Sequence, residues 1–275
     1  MAGEASGAGT TSDMVGEARA LIDEARAHGV ALRLVGGLAV QAHCAAPAPC
    51  ERPSRDIDLV APRRAVRPVG ALLHGRGWTE NGQVAMAAAG RKRQFFRVCR
   101  HVTQTGSAHV DDRIDLYIDA FRLHHAIDLR GRLDLDPYTV SLSDVLLVKL
   151  QRTQAAPDDV HDMLVVLESA SALGEDDAPG VLNLAYLARV CAADWGLWHD
   201  VERNLALCRE ALAAAVSAGS TFVRAPARLD ELAVALERVP RGWRFRLRAA
   251  VGERLAWHEV VDETEGVTFA PGERP

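Results

Sequence analysis

No apolar run in these 275 residues is long enough to cross a membrane. There is no excess of positive charge either. The formal net charge is −5, which argues against a basic protein that coats nucleic acid and leaves room only for a local basic patch. The first stretch, MAGEASGAGTTSD, lacks the basic start and apolar core of a secretion signal and reads as a disordered tail over 1–12. Cysteine is scarce and odd in number. Cys44, Cys50, Cys99, Cys191 and Cys208 are scattered, which favours reduced thiols in a cytoplasm over a disulfide framework. Neither a G-x-G-x-x-G nor a G-K-[ST] motif is present, so a dinucleotide fold and a P-loop are both unsupported. No internal repeat is present.

What the chain does have is a change of pattern near its middle. The front half alternates. A helix is expected with Ser12 or Asp13 as cap, Val15, Ala18, Leu21, Ile22 and Ala25 as its apolar face, and Gly29 as its stop. VALRLV (30–35) has strand length and ends at Gly36 and Gly37, and LAVQAHCA then reads as a helix. After Pro47, Pro49 and Pro53 a strand is expected around Asp56 to Val60, followed by a helix that starts near Pro62 and stops at Gly75 and Gly77. Three strand-like segments come next: Val84 to Ala88, Arg93 to Val98, and Arg113 to Phe121. From Ser141 onward the pattern is helical almost to the end. The polar stretch Gly174 to Gly180 is the best internal boundary, giving a head over 13–172, a helical region over 173–262 and a loose tail over 263–275. The class is α+β, a mixed head followed by an all-helical C-terminal region.

The chemistry concentrates in RPSRDIDLV (52–60). Residues two apart on a strand share a face, so Asp56 and Asp58 project together while Ile57 and Leu59 enter the core. Two adjacent carboxylates repel and favour sharing a proton or a cation, and magnesium, which takes oxygen ligands, suits them. Taken alone, a solvated Asp pair beside Arg52 or Arg55 explains the motif equally well. RIDLYID adds a third acid, Asp115, again between apolar residues. Asp119 shares its parity, but lies about 13 Å further along a strand, and stands in reserve.

Ahead of the acids, Gly36 and Gly37 permit a tight strand-to-helix turn that leaves room for a phosphate near the main chain, with the helix N-terminus beyond it. The order h-G-G, then R-x-S-x-D-h-D-h, then h-D-h on a later strand resembles the nucleotidyltransferase superfamily of the DNA polymerase β type. RPSRDIDL is most similar to its abortive-infection toxin branch, the AbiEii-like proteins and their mycobacterial MenT relatives, and also to small antibiotic nucleotidyltransferases. The segment from Val140 to Glu168 resembles the part of those toxins that carries a lysine on one helix and D-x-x-D on the next, here Lys149, Asp159 and Asp162. The resemblance spans roughly 34–168. The proline-rich stretch after Gly37 is longer than the pattern, and Pro157 and Asp158 replace a basic residue, so either Asp159 or Asp162 fits the family's acid.

The resemblance implies a nucleotidyltransferase-type mixed sheet with flanking helices. It implies that Asp56, Asp58 and Asp115 hold two Mg²⁺ ions, and that Gly36, Gly37, Ser54 and Lys149, with Asp159 and Asp162, bind the NTP. The reaction is transfer of an NMP to a hydroxyl with release of pyrophosphate. The acceptor is tRNA or protein in a toxin-like enzyme, which would carry an antitoxin partner, or an aminoglycoside or lincosamide in a resistance-like one. A non-catalytic nucleotide-binding relative is a third reading, and a helical interaction protein a fourth. Simpler roles stand beside several of these. Lys149 on an apolar helix can snorkel to solvent, and Asp159 and Asp162 suit a helix start. His43, His124 and His125 have no partner in the sequence and read as surface or core residues. His43, Cys44 and Cys50 lack zinc-like spacing. RKRQFFRVCRH and RGWRFRLR are basic stretches that read as solvated faces or phosphate contacts.

Overall fold

The computed structural model describes residues 11–44, 50, 56–97, 112–217 and 222–259. Expectations for the N-terminal tail before Thr11, for Arg52, Pro53, Ser54 and Arg55, for Cys99 and for the C-terminal tail lie outside these residues.

In chain order the elements are α1 (Thr11–Ala27), β1 (Arg33–Val35), α2 (Gly36–His43), β2 (Asp56–Ala61), α3 (Val66–Gly75), β3 (Thr79–Glu80), α4 (Gly82–Ala87), β4 (Lys92–Arg97) and β5 (Asp112–Ile118). They continue as β6 (Ala120–Arg122), β7 (Ala126–Asp128), α5 (Leu142–Leu150), α6 (Pro157–Ser169), β8 (Ala172–Gly174), β9 (Val181–Asn183), α7 (Leu184–Ala193), α8 (Trp195–Ser217), α9 (Ala225–Arg238) and α10 (Trp243–Val251). The class is α+β, with a mixed sheet and a helical C-terminal region. The chain divides into two compact units, one of 1–34, 52–119 and 262–275, the other of 35–51 and 120–261. The stretch Gly174 to Gly180 falls inside the second unit.

The first unit is built on a five-stranded sheet in the order β1-β2-β5-β4-β3. β2 and β5 are parallel, and β4 runs antiparallel to β5. One face carries Ile57, Leu59, Ile114, Leu116 and Phe95, all fully buried. Removing each such side chain from water contributes about 1.5–3 kcal/mol. α1 lies over this face: Arg97, on the Phe95 side of β4, ion-pairs with Glu17 of α1. Ala18, Leu21, Ile22 and Ala25 of α1 are buried, as read from their spacing. Pro68 falls in the first turn of α3, where a missing N–H costs nothing.

Two readings are corrected here. Val84 to Ala88 is not a strand; the segment is α4, with the Asn81 side chain accepting the Gln83 N–H as N-cap. The strand expected from Arg113 to Phe121 is broken at Asp119, whose φ of 63° turns the chain between β5 and β6.

The second unit is organised around α5. Every residue of this helix is buried, and α2, α6, α7 and α8 pack around it. A helix covered on all sides must satisfy its polar groups internally. Asp144 does so through Arg132, Ser141 and the Tyr186 hydroxyl. The Ser143 hydroxyl accepts the Asn183 N–H, and Asn204 of α8 donates to the carbonyls of Leu150 and Arg152 at the helix end. The segment expected as a helix from Val181 begins instead as β9, paired in parallel with β8, before α7 starts. Among the described residues no helix is long and apolar enough to cross a membrane.

Candidate active site

β2 and β5 set the position of the three acids. Asp56 and Asp58 occupy alternate positions of β2, on the face opposite Ile57 and Leu59. The parallel register makes Asp58 the Cα partner of Asp115, and Asp56 the partner of Arg113. Adjacent strands lie about 4.8 Å apart, so the side chains of each pair are immediate neighbours. β4 extends the same face with Lys92 and Gln94, Gln94 standing opposite Asp115. The structure therefore brings Asp56, Asp58 and Asp115 to one side of the sheet. Asp119 is elsewhere: its carboxylate accepts the Arg63 N–H beyond the end of β5.

Two cations lie among these carboxylates. Arg113 donates to Asp56 Oδ2, and its Nε lies 3.6 Å from Asp115 Oδ2. The Lys92 ammonium lies 2.9 Å from Asp115 Oδ2, and Gln94 donates to Asp115 Oδ1 at 3.1 Å. Asp115 is only 4% exposed, whereas Asp56 and Asp58 are half-buried. Burial, reinforced by Asp115, holds the Asp56 carboxyl above its ordinary range despite Arg113 and Lys92. Burial opposes the Arg113 charge, but Asp115, Asp56 and Asp58 together raise its pKa.

A magnesium ion takes carboxylate oxygens, and three aspartates on neighbouring strands supply the right donor chemistry. In the side-chain positions seen, two of them are turned to Arg113 and Lys92. Among the described residues no three acidic, histidine or cysteine side chains converge as a ready-made metal site. The donor chemistry fits the ion, while Asp56 is paired with Arg113 and Asp115 with Lys92. Sequence reasoning missed Arg113, Lys92 and Gln94 as members of this face. The signal for Arg113 was the parity rule already applied to the acids, since it precedes Asp115 by two residues.

Other candidates lie in the second unit. Gly36 and Gly37 form the first turn of α2, which continues directly from β1. Gly36 has φ 73°, a conformation that suits glycine. Lys149, Asp159 and Asp162 come together: the ammonium lies 3.0 Å from Asp159 and 2.8 Å from Asp162, and Arg152 also reaches Asp159. Lys149 does not snorkel; it is 6% exposed and clamped between the two acids. Both members of D-x-x-D thus engage the lysine.

The histidines do have partners. His43 Nε2 lies 2.6 Å from the Thr139 hydroxyl, and burial lowers its pKa. His125 pairs with the fully buried Asp200, which also accepts from Thr153 and the Trp257 indole. Cys44 and Cys50 lie side by side at the end of α2. Cys191 and Cys208 are free, and burial pushes both thiols up to about 12.

The chain belongs to the family described as uncharacterised nucleotidyltransferase, whose model matches residues 8–152, more than half of its length. The match includes Gly36, Gly37, Asp56, Asp58, Asp115 and Lys149, and ends before Asp159 and Asp162. No curated protein matches the sequence. A similar solved structure is that of an antigenic nucleotidyltransferase-like protein from Paracoccidioides brasiliensis. It is 11% identical, covers 87% of this chain and 99% of its own, and has a TM-score of 0.41.

Proposed function

We propose that the protein is a magnesium-dependent nucleotidyltransferase that moves an NMP from an NTP to an acceptor hydroxyl. The observation that carries this reading is the register of β2 and β5, which sets Asp58 against Asp115 with Asp56 on the same face. Asp56 and Asp58 would hold a divalent ion beside the triphosphate. When bound, Mg²⁺ neutralises phosphate charge and stabilises the departing pyrophosphate. Asp115, at the same level as Asp58, takes the proton of the acceptor hydroxyl. The hydroxyl oxygen bonds to the α-phosphorus, and the bond from that phosphorus to the β-phosphate oxygen breaks. The protein's contribution is alignment and charge compensation.

Gly36 and Gly37, through the opening turn of α2, and Ser54 are assigned to the β- and γ-phosphates. Lys149, held by Asp159 and Asp162, is assigned as a further cationic group for the nucleotide. The stretch RPSRDIDL supports a toxin-like acceptor, tRNA or protein, with an antitoxin partner, over an antibiotic. Incubation with each labelled NTP, Mg²⁺ and separate pools of tRNA, protein and aminoglycosides or lincosamides tests this. Label is expected in the tRNA or protein pool. Label in the antibiotic pool replaces the acceptor, and nucleotide binding with no label in any pool leaves a non-catalytic relative.

A further inference from the structure

Arg113 is an unusual companion for a carboxylate face assigned to a metal. It shares that face with Asp56, Asp58 and Asp115, and the sheet register sets it directly opposite Asp56. Its contacts are uneven. The terminal nitrogen donates to Asp56, while Nε, 3.6 Å from Asp115, is too far for a hydrogen bond. That Nε is buried and has no hydrogen-bond partner among the described residues. A guanidinium forms its best pairs as a planar fork with two parallel hydrogen bonds, and here the fork is half used.

Asp115 does not depend on Arg113. Lys92 serves its Oδ2 and Gln94 its Oδ1, so departure of the guanidinium leaves both oxygens satisfied. Arg113 cannot shed its proton, so a divalent ion entering at Asp56 confronts a fixed positive charge. The two repel, and Arg113 must find another anion. Its side chain is 30% exposed, which gives it room to swing. The anion that arrives with the metal is a triphosphate, whose oxygens match the fork bidentately.

We propose that Arg113 is an exchangeable partner of this face: it pairs with Asp56 until a divalent cation takes that carboxylate, and then binds the phosphate chain of the incoming nucleotide. This rests on the reading of Asp56 and Asp58 as donors to a divalent ion beside Asp115. It makes Arg113 a substrate-binding residue, and it makes metal and nucleotide binding cooperative, since each removes an obstacle to the other.

The two roles have opposite signs and can be separated. Arg113→Gln removes the competing cation, so Mn²⁺ alone, titrated by electron paramagnetic resonance, is expected to bind about tenfold tighter than to the wild type. The same variant is expected to bind tripolyphosphate in the presence of saturating Mn²⁺ about tenfold more weakly. Arg113→Lys, which keeps the charge but loses the fork, is expected to lie between the two in both titrations and serves if the glutamine variant does not fold. Tighter metal with unchanged or tighter tripolyphosphate overturns the exchange, as does unchanged or weaker metal. A wild-type protein that binds no Mn²⁺ overturns the metal-site reading itself, whereas Mn²⁺ binding indifferent to Arg113 overturns only this inference.

Discussion

Asp58 and Asp115 stand directly opposite each other on two parallel strands. The apolar residues beside them, Ile57, Leu59, Ile114 and Leu116, are fully buried on the other face. The core therefore fixes the register, because a slip of one residue would turn the carboxylates into the apolar core and the aliphatic side chains out of it. The packing of the first unit and the placement of its acids share one cause.

Asp58→Ala is expected to abolish nucleotide transfer, a fall beyond about a thousandfold, with the fold retained. Circular dichroism and labelled-nucleotide incorporation on the same preparation check this. Asp119→Ala, which alters a turn contact to Arg63, is expected to leave transfer within a few-fold of wild type.

Lys149→Met would leave Asp159 and Asp162 without their shared cation inside the second unit. Removing one partner of a buried ion pair costs about 3–5 kcal/mol. Denaturant unfolding is expected to show a loss of this size.

Glu168 of α6 accepts the N–H groups of Arg224 and Ala225 at the start of α9. Burial opposes its charge, but those N–H groups and the Arg224 guanidinium outweigh it and hold the carboxyl below its ordinary value. A depressed carboxyl stabilises the fold above its unfolded pKa and loses that effect as pH falls through the folded one. Glu168→Gln is therefore expected to cost about 1 kcal/mol at neutral pH. In thermal melts the difference from wild type should fade as the pH drops below the usual glutamate range. A difference that grows in acid contradicts the cap.

Gly196 sits under the C-terminal segment. A Cβ there would come within 2.5 Å of the Trp257 carbonyl oxygen and 3.2 Å of the His125 ring. Gly196→Ala is expected to cost about 1–3 kcal/mol and to loosen the Trp257 indole from Asp200, read as a lower melting temperature and altered tryptophan fluorescence.

Much of the acidic face was legible because strand parity is local: Asp56, Asp58 and Asp115 follow from alternation with isoleucine and leucine. The same rule extends to Arg113, two residues before Asp115, but only the neighbouring strand supplies the acid it meets. α4 was misread because a short Val- and Ala-containing stretch fits either period, and the decisive signal was the cap at Asn81. The network of Asp144 with Arg132 and Tyr186, and the pair of His125 with Asp200, stayed hidden. The tyrosine lies 42 positions beyond Asp144, and 75 positions separate the His–Asp pair, so only tertiary packing joins them.

The most direct test of the central claim is pyrophosphate release from NTP in the presence of the acceptor pool that takes up label, measured with and without Mg²⁺ for the wild type, Asp58→Ala and Asp115→Asn. The account predicts release by the wild type only, and only with the metal. Equal release from either variant, or from the wild type in chelator, would contradict it.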